Sequence, residues 1–199
     1  EHRETYGKAR LLLADEVGVG KTLSMATSAL VSALLDDGSV LILAPSTLTI
    51  QWQIEMMDKL GVPAAVWSSQ KKVWLGAEGQ ILSPRGDSFF IKKCPHKIAI
   101  VSTGLIMHKA RAKGGFGEHA SDPNNLMAFM LQIGRRTRHL ILGTATPIQT
   151  NVRELWDLLG ILNSGAEFVL GDALSPWQDH EIAIPLITGR AQVTSEQEV

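Results

Sequence analysis

The chain has 199 residues, 45% of them hydrophobic, which is enough for one domain of ordinary size or two small ones with a sizeable core. Lys and Arg number 19 against 20 Asp and Glu, a formal net charge of -1 that excludes a global basic field, so any nucleic-acid contact must be local. The single cysteine, Cys94, excludes a disulfide framework and a multi-cysteine zinc site and fits a reducing compartment, and no apolar run approaches the roughly 18 residues of a membrane span. The opening residues Glu1, His2, Arg3 and Glu4 carry no signal-peptide pattern and no initiator Met. An intracellular location, and a start inside a longer or processed protein, are therefore expected.

Short apolar runs separated by helical patterns predict an α/β fold with a mostly parallel sheet, because strands buried on both faces read as continuous hydrophobic runs. The first strand is expected over 11–14, before a glycine-containing loop. A helix over 22–35 follows, with Leu23, Ala26, Leu30 and Leu34 on one stripe and Asp37 and Gly38 as its stop. Then come a strand over 40–44, a helix over 47–60 ending at Gly61, and a strand over 64–67. The stretch 68–97 has no clear period and reads as an irregular insertion or a β-hairpin. A strand is expected over 98–101, then a helix after Pro123 with Leu126, Phe129, Met130 and Ile133 in phase and Gly134 as its stop. After a strand over 139–142, Asn151 and Glu154 stand in the capping-box relation ahead of Val152, Leu155, Leu159 and Leu162 at helical spacing. Periodicity fades from about Gly171, and residues 171–199 read as a tail or the root of a further segment.

The strongest chemistry lies where the first strand meets the first long helix, in Asp15, Glu16, Val17, Gly18, Val19, Gly20, Lys21 and Thr22. Glycines let the backbone bring its N–H groups close to phosphate oxygens, and the following helix adds the positive end of its dipole. Lys21 would reach the β- and γ-phosphates and the Thr22 hydroxyl would ligate Mg²⁺. The generic phosphate-loop pattern asks for Gly where this chain has Asp15.

Taken with the rest of the chain, these residues resemble the SNF2 (SWI2/SNF2) group of superfamily 2 ATPases, in which an Asp-Glu pair stands in place of that Gly. The family's motif Ia resembles Leu43, Ala44, Pro45, Ser46, Thr47 and Leu48 with Gln51 and Trp52 after it, and motif Ib resembles Val101, Ser102 and Thr103. Motif III resembles Leu142, Gly143, Thr144, Ala145, Thr146, Pro147, Ile148 and Gln149, followed by Asn151, Glu154, Leu155 and Trp156. The resemblance covers about 9–168. It implies a RecA-like P-loop NTPase lobe over 1–170, the first of two, with a sheet flanked by helices on both faces; the second lobe and its arginine motif are missing from this chain.

The resemblance also implies ATP and Mg²⁺ as cofactors, with Lys21 and His108 as catalytic residues and Thr22 on the metal. Thr144, Ala145 and Thr146 would couple nucleotide state to DNA, and Pro45, Ser46, Thr47, Ser102 and Thr103 would touch one strand's backbone. The implied partners are double-stranded DNA, the second lobe of the same protein, and a DNA-bound protein such as RNA polymerase or a defence complex. Val17 and Val19 are more similar to bacterial members, hence a cytoplasmic location, or a nuclear one in a eukaryote. The implied activity is an ATP-dependent duplex translocase that moves on DNA or displaces bound proteins without separating strands.

One departure stands out: the family carries Asp-Glu-Ala-His between motifs Ib and III, and this chain has only His108 there, directly after Met107. Either Met107 and His108 are not neighbours in the protein, or the strand and the acidic pair are deleted. The first account is preferred, because losing a central strand leaves unpaired ladder groups and a hole in the core. Deletion would instead leave a nucleotide-binding scaffold without hydrolysis. A P-loop enzyme of another class is disfavoured by motif III. The remaining signals have plain readings: Arg135, Arg136 and Arg138, and Lys109, Arg111 and Lys113, as solvated surface, Trp52 and Trp156 as packing residues, and Cys94 with His96 as too few ligands for zinc.

Overall fold

The structure, a computed structural model, describes residues 2–16, 18, 20–35, 38–83, 94–105 and 125–191. Its elements run α1 (His2–Tyr6), β1 (Arg10–Leu13), α2 (Lys21–Leu34), β2 (Val40–Ala44), α3 (Thr49–Leu60), β3 (Ala65–Ser68), β4 (Val73–Leu75), β5 (Ile98–Ser102), α4 (Asn125–Arg136), β6 (Leu140–Gly143), α5 (Arg153–Asn163), a 3-10 turn (Pro176–Gln178) and α6 (His180–Ile187). The mixed α/β class is as the sequence predicts, with its strands in two sheets: β1 pairs with β6, and a second sheet has the order β2-β5-β3-β4. The pairs β1–β6, β2–β5 and β3–β5 are parallel, and β3–β4 is antiparallel. The chain divides into two compact units, residues 20–126 and residues 1–19 with 127–199.

In the unit of residues 20–126, side-chain alternation along the strands builds two apolar layers. Ile42, Val66, Ile98 and Ile100 pack with Ala26 and Ala29 of α2 and Met56 of α3. Ala65, Trp67, Ala99 and Val101 form the other layer with Trp74 of β4, backed by Leu82, Cys94 and Leu105. Among the described residues, therefore, α2 and α3 share one face of this sheet. Helix α3 ends as its sequence predicts: Gly61 adopts the left-handed conformation, φ 64°, and the Gly61 and Val62 amides cap the Met57 and Met56 carbonyls. The segment after β3 is a hairpin, with Val66, Trp67 and Ser68 facing Leu75, Trp74 and Val73. Buried Gln53 ties α3 to the entry of β3 and the end of β4 by donating to the carbonyls of Ala64 and Leu75 at 2.8 and 3.0 Å.

In the other unit, β1 and β6 run in register from Arg10–Leu140 to Leu13–Gly143. Helix α5 contributes buried Ile161, Leu162 and Asn163. Asn163 closes the following turn: its Oδ1 accepts from the Val169 and Leu170 amides, and its Nδ2 donates to the Gly171 carbonyl. Helix α4 runs through Gly134, the residue that sequence periodicity marks as its stop. A Cβ there would lie 2.9 Å from the Ile161 carbonyl oxygen, so this glycine serves close approach of α4 to α5 rather than termination. The stretch after Gly171, which shows no period, nonetheless contains α6, capped by the Asp179 side chain on the Glu181 amide and carrying buried Ala183.

Candidate functional site

Strand β1 delivers the chain to Ala14, Asp15 and Glu16, all exposed beyond its C-terminal end. Gly18 and Gly20 have φ of 90° and 87°, a region that L side chains avoid. A Cβ at either would meet nothing within 4 Å, so the backbone conformation alone asks for glycine. Gly20 is the N-cap of α2, and a glycine brings no side chain of its own to cap that helix start. A helix beginning this way offers its first-turn amides and dipole to an anion, the arrangement that suits phosphate. Lys21 and Thr22, half-buried, are its first two residues. Val17 and Val19 lie outside the described residues.

Thr22 also lines a cavity of about 50 Å³ with Leu48, Gln51 and Trp52, which brings the phosphate motif against the start of α3. The indole of Trp52 packs on the core of this unit, as its helical phase predicts. For the metal, the Thr22 hydroxyl is a suitable oxygen donor; among the described residues no group of three or more His, Cys, Asp or Glu side chains could hold an ion. A Mg²⁺ here would rest on Thr22 and on the phosphates of a bound nucleotide.

Pro45, Ser46 and Thr47 form an exposed turn at the C-terminal end of β2, closed by the Leu48 amide on the Pro45 carbonyl at 2.9 Å and by the Thr49 hydroxyl on the Ser46 carbonyl at 3.1 Å. The parallel register sets Ala44 beside Ser102, so this turn and the Ser102–Thr103 step leave the sheet at the same end. The Ser102 Oγ accepts from the Gly104 amide at 3.1 Å. Two neighbouring strand ends thus gather neutral hydroxyl and amide groups, a chemistry that suits sugar–phosphate contact.

Thr144, Ala145 and Thr146 follow β6 in the other unit. The Thr144 amide donates to the Leu13 carbonyl at 3.0 Å, fixing the segment to the end of β1. The Thr146 amide donates to Thr144 Oγ1 at 3.1 Å, and Gln149 Nε2 to Thr146 Oγ1 at 3.1 Å. The turn into α5 keeps the Asn151–Glu154 relation, the carboxylate meeting the Asn151 backbone amide, and extends it. Asn151 Oδ1 accepts from the Arg153 amide, while the Glu154 carboxylate reaches further back, to the amides of Gln149 at 2.6 Å and Thr150 at 3.3 Å and the Thr150 hydroxyl at 2.7 Å. These bonds, the Thr150 hydroxyl's foremost, hold the Glu154 carboxyl below the usual carboxylate range.

His108 lies outside the described residues, as do the junction with Met107 and the basic residues Lys109, Arg111 and Lys113. Arg138 serves structure, donating from Nε to the Gly7 carbonyl at 3.1 Å. Trp156 donates from Nε1 to the Trp177 carbonyl at 2.9 Å, a packing role. Burial pushes the Cys94 thiol up from its ordinary value. Two roles that the sequence motifs do not give emerge from the geometry: the Glu154 carboxylate as the point where donors from Gln149 and Thr150 converge, and the buried Arg10 guanidinium at the end of α4.

No family model matches the chain. It is 29% identical over 166 residues to the uncharacterized ATP-dependent helicase YqhH of Bacillus subtilis, covering 80% of this chain and 27% of that protein. It is 24% identical over 187 residues to chromodomain-helicase-DNA-binding protein 1 of Homo sapiens, covering 85% of this chain and 10% of that protein. It is 29% identical over 168 residues to the probable ATP-dependent DNA helicase CHR23 of Arabidopsis thaliana, covering 76% of this chain and 14% of that protein. The chain thus spans about a quarter or less of the length of these relatives.

Proposed function

We propose, from its similarity to ATP-dependent helicases, that this chain is the nucleotide-binding, RecA-like first lobe of an SNF2-type, ATP-driven translocase on double-stranded DNA. The observation that carries this reading is the start of α2 at left-handed Gly20, followed at once by Lys21 and Thr22. Backbone amides at Gly18 and Gly20 bind phosphate oxygens, Lys21 neutralises charge on the γ-phosphoryl, and Thr22 takes the metal. A Mg²⁺ held there would supply charge neutralisation on the nucleotide's phosphates. Pro45, Ser46, Thr47, Ser102 and Thr103 hold one DNA strand by its backbone, and Thr144, Ala145 and Thr146 link nucleotide state to that grip. His108, a second lobe in the same protein and a displaced DNA-bound protein complete the proposal. Membrane insertion forms no part of it: no helix among the described residues is long and apolar enough to cross a bilayer. The test is Lys21→Ala in the full-length protein: loss of nucleotide binding and of DNA-stimulated ATP turnover is expected, and unchanged turnover refutes the assignment.

A second reading, a scaffold that binds nucleotide without hydrolysing it, is favoured by one observation: no Asp-Glu pair stands between Ser102 and Leu140. Such a chain lacks the carboxylates that hold Mg²⁺ and position water. Trypsin mapping separates the two readings. Recovery of an uninterrupted peptide 98–109, with an intact mass of 21.6 kDa, establishes the scaffold; a heavier chain with added residues between Met107 and His108 that include the pair restores the motor.

A further inference from the structure

The segment from Thr144 to Thr150 is exposed or half-exposed throughout, so apolar burial does little to fix its shape. Hydrogen bonds do this instead, and they form one series. At its outer end the Glu154 carboxylate accepts from the Gln149 amide, the Thr150 amide and the Thr150 hydroxyl. Gln149 then extends its side chain to the Thr146 hydroxyl, the Thr146 amide turns back onto Thr144 Oγ1, and the Thr144 amide closes on the Leu13 carbonyl. Both ends are anchored on regular structure. Glu154 sits in the first turn of α5, whose last turn holds buried Ile161, Leu162 and Asn163, and Leu13 is the last residue of β1.

We infer that Glu154 is the positioning residue of this segment, fixing Gln149 and Thr150 and, through the Gln149 side chain, setting Thr146 and Thr144 at the end of β1. A carboxylate suits this position: the Gln149 and Thr150 amides share Oε2, the Thr150 hydroxyl takes Oε1, and an ionised carboxylate accepts on both oxygens. The inference rests on the reading of Thr144, Ala145 and Thr146 as the coupling element: if that reading holds, Glu154 acts on the coupling step through the segment and touches neither nucleotide nor DNA.

Residue-resolved amide exchange on this chain tests the network without reference to any activity. In Glu154→Ala, protection of the Gln149 and Thr150 amides should fall about tenfold, with Thr146 following, while amides of the last turn of α5 keep theirs. Unchanged protection at Gln149 and Thr150 overturns the inference. Should Glu154→Ala unfold the unit, Gln149→Ala decides. Loss of protection at Thr146 with retention at Thr150 supports the series, and no change at Thr146 overturns it. In the full-length protein the positioning role requires that Glu154→Ala lower kcat for DNA-stimulated ATP turnover with KM for ATP unchanged, and that Glu154→Gln recover part of it. A rise in KM alone overturns the role. If Lys21→Ala leaves turnover intact, the functional reading fails, while the exchange pattern still decides the network.

Discussion

Arg10 and Gly134, 124 residues apart in the chain, meet in the interior, where Arg10 Nη2 donates to the Gly134 carbonyl at 2.9 Å. The same nitrogen reaches the Thr137 carbonyl at 2.6 Å, so one cation closes the negative end of α4. Its Nε and Nη1 are buried without a hydrogen-bond partner among the described residues, and burial pushes the guanidinium below its ordinary value. Arg10→Ala strands two carbonyls and opens a cavity, and should cost about 3 kcal/mol in urea unfolding. Arg10→Lys keeps a donor for those carbonyls while removing the unpartnered nitrogens, and should cost less. Equal losses for the two variants would contradict this account.

Two helical glycines separate propensity from packing. Gly160 in α5 has open space where a methyl group would stand, so Gly160→Ala should stabilise by about 0.5–1 kcal/mol. At Gly134 in α4, the same position lies 2.9 Å from the Ile161 carbonyl oxygen and 3.0 Å from Ser164 Cβ. Gly134→Ala should destabilise by about 1–3 kcal/mol despite the better helix former. Thermal unfolding of the pair, shifting in opposite directions, is the expected result.

Gly20→Ala puts a Cβ on a left-handed residue with no steric neighbour, at a cost to folding of roughly 1–2 kcal/mol. If the start of α2 holds phosphate, nucleotide affinity should fall by far more than that cost explains. Titration with a fluorescent ATP analogue, beside a melting curve of the same variant, reads both. Equal affinity in the variant counts against the phosphate site.

The depressed carboxyl of Glu154 carries a pH signature. A group whose folded pKa lies below its unfolded value contributes stability that is complete above the ordinary carboxylate range and is lost as pH falls through the folded value. The Glu154 carboxyl resonance should therefore titrate below the ~4.3 of an unperturbed glutamate, and Thr150→Val should move its midpoint up. A wild-type midpoint at or above the unperturbed value would remove the basis for the convergence of donors.

Much of the fold is legible in the sequence because its cause is local. Residues 40–44 form β2 as their apolar run predicts, and Gly61 ends α3 because a left-handed cap is a one-residue property. Gly134 misleads for the opposite reason: the same residue that stops a helix also permits close approach, and only the partner, Ile161, shows which. Helix α6 escapes a periodicity reading because it is short, almost wholly apolar and contains Pro185. The phosphate and DNA-backbone candidates are legible as motifs, while Arg10 at the end of α4 depends on pairing distant in sequence. Glu154 is visible as a capping residue, but its reach past Asn151 to Gln149 and Thr150 is a matter of loop geometry.

The division of the chain also orders its synthesis. Residues 20–126 are contiguous and can begin to fold as soon as they leave the ribosome. Strand β1 is made before them, yet its partner β6 comes far later: the Ala9 amide bonds His139 across 130 residues of sequence. Until then Leu11, Leu12 and Leu13 travel as an unpaired apolar segment, the kind of exposure on which nascent chains associate wrongly. The unit that joins residues 1–19 to 127–199 is thus completed after residues 20–126, and a slowed translation product should need a chaperone there before it needs one in the contiguous unit.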